Sequence, residues 1–238
     1  METKPTVQSD PRIEALFKVG AHFGYSRSRR HPSIAPFIFG LKNRVEIFDL
    51  EKTVNLLEKA KDFVKKLGSE NKVILFASGK NEARVALEKA AKELGMPYVA
   101  GRWIGGALTN YGQIRTRMDL LETRRREKEK GELAKYTKKE RLLIDREIAK
   151  LETLFGGLLP MKEMPKALFV IDSNRESIAV TEAHKMGIPV LALLGSDCDI
   201  KDVEYPIVGN DSAVSSIAFF VEEMVRAYKE GEALKLKA

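Results

Sequence analysis

Two hydrophobic rhythms alternate along this chain. Short unbroken apolar runs, at residues 73–77, 98–100, 167–171, 189–194 and 205–208, read as strands. Runs with no polar interruption suit strands covered on both faces. Between them apolar residues recur every three or four positions, which is the period of an amphipathic helix. This rhythm predicts helices over 11–19, 49–67, 81–94, 176–186 and 212–229. In the first, Ile13, Leu16 and Phe17 share a face. In the second, Val54, Leu57, Ala60 and Val64 do. Asp49 and Asp211 are placed to cap the helices they precede, and Gly20, Gly68, Gly95 and Gly187 to stop the helices they follow. Residues 37–39 and 45–48 look extended around a turn at Lys42-Asn43. Residues 21–36, with His22, Arg27, Arg29, Arg30, His31, Pro32 and Pro36, read as an ordered basic loop. Strand and helix alternate throughout, which argues for an α/β fold with a parallel sheet covered by helices on both faces.

One stretch breaks the rhythm. Residues 112–155 are dense in Arg, Lys and Glu and nearly free of glycine. Ile114, Met118 and Leu121 are spaced by four and three. Ile144, Ile148, Leu151 and Phe155 are spaced by four, three and four. Two such stripes joined through residues 131–137 predict an antiparallel helical hairpin. Thr137 with Glu140 has the spacing of a capping box. The predicted organisation is an α/β core formed by 1–111 and 156–238, interrupted by an inserted hairpin at 112–155. The stripes hold the pair together and leave the charges outside, Arg124, Arg125 and Arg126 above all.

Charge sharpens this picture. The 238 residues carry 41 Lys and Arg against 34 Asp and Glu, a net charge of +7, with a sequence pI of about 9.3. The excess is uneven: +4 over 1–48, +3 over 49–111, +4 over 112–155, zero over 156–194 and −4 over 195–238. The first two thirds are expected to face a polyanion and the last third to face away from it. Cys198 is the only cysteine, so no internal disulfide is possible, which fits a reducing compartment. No apolar run approaches the roughly 18 residues of a membrane span. Residues 1–10 are polar and lack a signal-peptide core. The expectation is a soluble cytoplasmic protein.

Catalytic patterns are weak. Gly79-Lys80 follows a strand, as in a phosphate loop, but position 74 is Ile where that motif has Gly. Asn81 stands where Ser or Thr would hold magnesium. No G-x-G-x-x-G follows a strand. Cys198 lies between Asp197 and Asp199, whose charges disfavour the thiolate. His22, His184 and Cys198 show no metal-ligand spacing. Asp172, ending a strand, reads first as a helix cap. No catalytic residue, metal ligand or cofactor is assigned, and no small-molecule substrate is expected. The rival reading is a small-molecule or nucleotide-binding enzyme on a doubly wound sheet, which fold alone does not exclude.

Binding patterns are stronger. Arg27, Arg29 and Arg30 cluster on a restrained segment. Gly101-Arg102-Trp103-Ile104-Gly105-Gly106-Ala107-Leu108-Thr109-Asn110 pairs a cation with the single Trp and adds short polar groups. Arg115, Arg117, Arg124, Arg125 and Arg126 line the first helix of the insert. Arg and Lys supply phosphate contacts to RNA, while hydroxyl and amide groups reach sugar and backbone. The candidate rRNA-binding set is therefore Arg27, Arg29, Arg30, Arg102, Trp103, Thr109, Asn110, Arg115, Arg117, Arg124, Arg125 and Arg126. Trp103 fits two roles equally, a base-stacking surface or a buried anchor fastening the insert to the core.

An ordered set of motifs carries a resemblance. These are Gly20-Ala21-His22-Phe23-Gly24, Pro36-Phe37-Ile38-Phe39-Gly40, Ile47-Phe48-Asp49-Leu50-Glu51-Lys52-Thr53, the Arg102 to Asn110 motif and Leu154-Phe155-Gly156-Gly157. Pro165-Lys166-Ala167-Leu168-Phe169-Val170-Ile171-Asp172, Gly187-Ile188-Pro189-Val190 and Gly209-Asn210-Asp211 complete it. In this order, spanning nearly the whole chain, they closely resemble the bacterial-type S-two family of small-subunit ribosomal proteins. The resemblance implies a flavodoxin-like three-layer α/β/α domain with a protruding coiled coil. It implies a structural, non-catalytic role, with small-subunit rRNA and neighbouring ribosomal proteins as partners. Two positions depart from the family's pattern: Tyr25 stands where a second His is usual, and Arg27 to His31 replaces an Asn-Pro element.

Overall fold

The computed structural model describes residues 10–235, so the signal-peptide reading of the N-terminus falls almost wholly outside them. Helix α1 (Pro11–Lys18) leads into β1 (Phe23–Ser26), β2 (Ile38–Lys42) and β3 (Val45–Phe48). Then come α2 (Leu50–Ser69), β4 (Ile74–Ser78), α3 (Asn81–Leu94) and β5 (Tyr98–Ala100). Helices α4 (Tyr111–Glu129) and α5 (Lys138–Phe155) follow. The chain continues through β6 (Ala167–Ile171), α6 (Ser177–Lys185), β7 (Val190–Leu194), β8 (Tyr205–Val208) and α7 (Val214–Lys235).

Strands β4 to β8 form one parallel sheet in the order β5-β4-β6-β7-β8. This is the flavodoxin-like order, in which the chain first adds a strand on one side of its starting strand and then crosses to the other. The reversal lies between β4 and β6. Every residue of β4, β6 and β7 is buried, which explains their unbroken apolar sequence. Their alternate residues feed two cores. Phe76, Phe169, Ile171, Leu191, Leu193 and Ile207 pack under α2, α3 and α7. Leu75, Ala77, Leu168, Val170, Val190 and Ala192 pack against α6 and the inner stripes of α4 and α5. Phe76 and Phe169 are paired in register, and their rings meet edge to face at 5.6 Å.

The N-terminal third departs from the expected alternation. Residues 21–36 are not simply a loop. They contain β1 and two 3-10 segments, Arg27–Arg29 and Pro32–Phe37. Strands β1, β3 and β2 make a separate antiparallel sheet in that order. Its turn falls at Asn43 and Arg44, one residue later than expected, with φ of 51° and 66°. Two successive left-handed residues match the twist of a hairpin. Ile34 and Phe48 pack on Val208 and seat this small sheet beside β8. Thr53 Oγ1 donates to the Val208 carbonyl at 2.8 Å, and Asn210 N donates to the Ala21 carbonyl at 2.9 Å.

Three further expectations need correction. Gly68 does not stop α2; it lies inside the helix because a Cβ there would collide with the Tyr228 carbonyl of α7. Gly231 does the same from the other side, where a Cβ would strike the Lys65 carbonyl, so α7 runs past it to Lys235. Asp211 does not cap α7: Asn210 Oδ1 accepts from Ser212 N and Ala213 N, while Asp211 is drawn into an ion pair. Phe17 is 61% exposed rather than part of the inner face of α1; its ring stacks on His22 at 4.4 Å. Among the described residues no helix is long and apolar enough to cross a membrane.

Candidate nucleic-acid interface

The N-terminal basic segment is held at the carboxyl edge of the sheet. Tyr25 N donates to Ser196 Oγ at 2.9 Å, His31 N to the Ser196 carbonyl at 2.8 Å, and Ile200 N to Ser33 Oγ at 3.1 Å. The tight 3-10 turn over Arg27–Arg29 sets its side chains outward, so Arg27 and Arg29 are exposed. The Arg29 guanidinium lies over the Tyr25 ring, 5.1 Å from its centre. Arg30 is different. Its Nη1 pairs with the buried Glu46 at 3.2 Å. Of the three arginines read together from the sequence, two are free to reach a phosphate and one is bound inward.

The loop between β5 and α4 wraps around one carboxylate. Glu182 on α6 is 6% exposed. Its Oε1 accepts from Trp103 Nε1 at 3.2 Å and Gly106 N at 2.7 Å. Its Oε2 accepts from Leu108 N at 3.0 Å, and from Thr109 N and Oγ1 at 3.2 Å each. Burial pushes this carboxyl up, but the hydrogen bonds from Gly106, Leu108, Thr109 and Trp103 outweigh it and hold the group below its ordinary range. Trp103 is buried, packed with the core cluster beneath α4 and α5. Its ring face is not offered to solvent. The Thr109 hydroxyl is turned to Glu182 although the residue is exposed. Arg102 and Asn110, at the two ends of the loop, are exposed. No sequence signal marks Glu182: it reads as an ordinary helix residue.

Helices α4 and α5 pack side by side. Ile114, Met118 and Leu121 meet Ile148, Leu151 and Phe155 in the same apolar cluster as Trp103. Thr137 and Glu140 form the reciprocal capping box at the start of α5. The charges are less free than their sequence suggests. Arg125 pairs with Glu152 of α5 at 2.9 Å, and Lys128 with Asp145 of α5 at 2.7 Å. Arg124 pairs with Glu127 at 2.9 Å and is half-buried. Arg115 pairs with Asp119 at 3.0 Å. Arg117 and Arg126 are the exposed arginines of α4. Arg126 stands free on the outside, Arg125 lies at the surface tied to Glu152, and Arg124 is half-buried beside Glu127.

The carboxyl edge at the β4/β6 reversal is where folds of this order hold their ligands. Here the chain fills it. Lys80, just past β4, is buried. Its Nζ pairs with Asp172 Oδ2 at 2.8 Å and Asp211 Oδ2 at 2.5 Å, and donates to the Asp211 carbonyl at 3.1 Å. Burial alone would lower the lysine pKa; Asp211 and Asp172 raise it well above its ordinary value. The Tyr25 hydroxyl, bonded to Ser212 Oγ at 2.6 Å, closes over the group. Asp172 also caps the next turn, Oδ1 accepting from Arg175 N at 3.0 Å. Asp172, Cys198 and Asp211 bring donor atoms within 4.8 Å of one another. The cation they face is the Lys80 ammonium, and burial with the Asp172 charge pushes the Cys198 thiol up to about 12. The lysine of the failed phosphate-loop match thus sits in an internal ion cluster with Asp172 and Asp211.

Comparison with known proteins follows the same lines. A family profile described as ribosomal protein S2 matches residues 16–231. The chain is 42% identical over 223 residues to the small ribosomal subunit protein uS2 of a Nitratiruptor species, covering 94% of this chain and 84% of that one. It is 41% identical over 223 residues to the protein of that name from Sulfurimonas denitrificans, with 94% and 86% covered. For that of Campylobacter fetus subsp. fetus the figures are 40% over 220 residues, with 92% and 85% covered.

Proposed function

The chain belongs to the ribosomal protein S2 family, and on that premise we propose that its exposed basic groups, Arg27, Arg29, Arg102, Arg117 and Arg126 together with Asn110, bind small-subunit rRNA. The protein is a structural constituent of the small ribosomal subunit rather than an enzyme, and it works in the cytoplasm as part of the ribosome. Its partners are rRNA and the ribosomal proteins beside it.

The observation that carries the assignment of contacts is the division of labour in α4 and α5. Their apolar stripes are spent on each other and on Trp103. Their outer surface carries the basic excess of residues 112–155, 13 Lys and Arg against 9 Asp and Glu. A charged helical pair beside an α/β core suits a large polyanion. Trp103 takes the anchor's role in this reading, Arg30 supports Glu46, Arg125 ties α4 to α5 through Glu152, and Arg124 is engaged by Glu127 of its own helix. The cleft of about 340 Å³ lined by Phe17, His22, Phe39 and Ile47 has exposed aromatic rings on its rim. That apolar surface suits a neighbouring protein better than RNA.

The test is a charge reversal at Arg117 and Arg126. Both are exposed on the outer side of α4, so Arg117→Glu with Arg126→Glu should leave unfolding by urea nearly unchanged. Binding to small subunits that lack their own S2-family protein should weaken clearly. Unaltered binding would remove α4 from the RNA contact.

A further inference from the structure

Residues 103–109 form a cage for an anion. Backbone N–H groups that converge in a turn make a concavity with positive potential, the kind that holds phosphates and carboxylates. Here Gly106, Leu108 and Thr109 supply three such N–H groups, and the Trp103 indole and Thr109 hydroxyl add two more donors. The anion they hold is Glu182. That carboxylate is carried by α6, whose Ala179, Val180 and Ala183 are buried against the sheet. Its position is fixed by the core. The loop is held at Trp103, Ala107 and Leu108, which are buried in the same apolar cluster, while the backbone N–H groups of Gly106, Leu108 and Thr109 close on the carboxylate.

The two exposed polar residues whose side chains are not turned to Glu182, Arg102 and Asn110, flank the cage directly. Arg102 precedes Trp103, and Asn110 follows Thr109 and opens α4. We infer that Glu182 is a positioning residue for rRNA binding: by filling the cage it sets where Arg102, Asn110 and the first turn of α4 stand. This rests on the reading that residues 102–110 face rRNA. It assigns a binding task to a side chain that never touches RNA.

The experiment uses the full chain with Glu182→Gln and Glu182→Ala, alongside Arg102→Ala. Two readouts are taken. Trp103 is the only tryptophan, so its emission reports the cage in the free protein. Affinity for small subunits lacking their own S2-family protein is measured across a salt series. In both Glu182 variants the emission should shift to longer wavelength and binding should weaken about tenfold. The log–log salt slope should fall by about one, as when a single phosphate contact is lost. Gln fills the same volume, so it keeps the test open if the alanine variant does not fold. Acetate, compared with chloride at equal ionic strength, should restore part of both signals in Glu182→Ala and not in Glu182→Gln, whose side chain already occupies the cage. If Arg102→Ala weakens binding while the Glu182 variants bind as the native chain does, the inference is overturned and the RNA reading stands. Weakened binding with an unchanged salt slope and no acetate effect overturns it too, because Glu182 would then be a fold residue only. If Arg102→Ala also leaves binding untouched, the loop is no RNA contact and both fall.

Discussion

Trp103 and Glu182 hold each other, and their roles come from burial rather than from residue type. From the sequence Trp103 fits a stacking surface or an anchor equally, because an indole suits both. The buried ring and its Nε1 bond to Glu182 are those of an anchor. Trp103→Ala is expected to cost about 3–5 kcal/mol in urea unfolding followed by circular dichroism. Trp103→Phe should keep most of the stability. An alanine variant as stable as the native chain but unable to bind rRNA would favour stacking instead. Glu182 adds a pH dependence. Its folded pKa is depressed, so its contribution is present above the unfolded value of about 4.3 and is lost as pH falls through the lower folded value. The stability gap between the native chain and Glu182→Gln should therefore be full at pH 6 and close as the pH is taken below 4. A gap that stays constant with pH would show that the charge plays no part in it. Lys80 gives a pH dependence of the same direction by another route. Lys80→Met leaves Asp172 and Asp211 buried without their cation, an expected loss of about 3–5 kcal/mol near neutral pH. Burial already pushes the Asp211 carboxyl up, and without the ammonium it takes a proton more readily, so the loss should shrink on acidification. Neither role was legible beforehand. A lone Glu in a helix and a lone Lys after a strand carry no mark of partners far along the chain.

At the scale of elements, the sequence rhythm located what local physics decides. The α3, β5, β6 and β8 boundaries coincide with expectation because each is bracketed by glycine, proline or a change of period. The misses come from distant contacts. Gly68 reads as a helix stop, yet it exists so that α2 and α7 can touch backbone to backbone, with Gly231 opposite. Gly68→Ala or Gly231→Ala should therefore destabilise the chain, against the usual gain of roughly 1 kcal/mol when alanine replaces glycine in a helix. Urea midpoints that rise in these variants would contradict the close crossing. Strand β1 was hidden because its four residues, Phe23 to Ser26, offer no alternation of exposure and find their partner only in β3. In α4 the three consecutive arginines look equivalent. Arg124 pairs with Glu127 three residues on in its own helix, a spacing the sequence does show, whereas the Glu152 partner of Arg125 is revealed only with α5 in place.

For the whole molecule, charge and topology point the same way. The basic excess lies in the first two thirds of the chain and the acidic excess in the last. The carboxyl edge of the sheet, the usual ligand site of this strand order, is closed by Lys80 with Asp172 and Asp211. What remains outward is a set of basic groups and an apolar cleft, which is the surface of an assembly component. Whether that surface binds small-subunit rRNA is decided by co-sedimentation of the full chain with small subunits lacking their own S2-family protein, repeated across a salt series. Saturable binding of one chain per subunit is expected. Its affinity should fall steeply and linearly on a log–log plot as salt rises, with a shallower slope when Arg117 and Arg126 are reversed to Glu. A chain that stays in the supernatant, or one whose binding ignores both salt and those reversals, would contradict an rRNA-binding role for these residues.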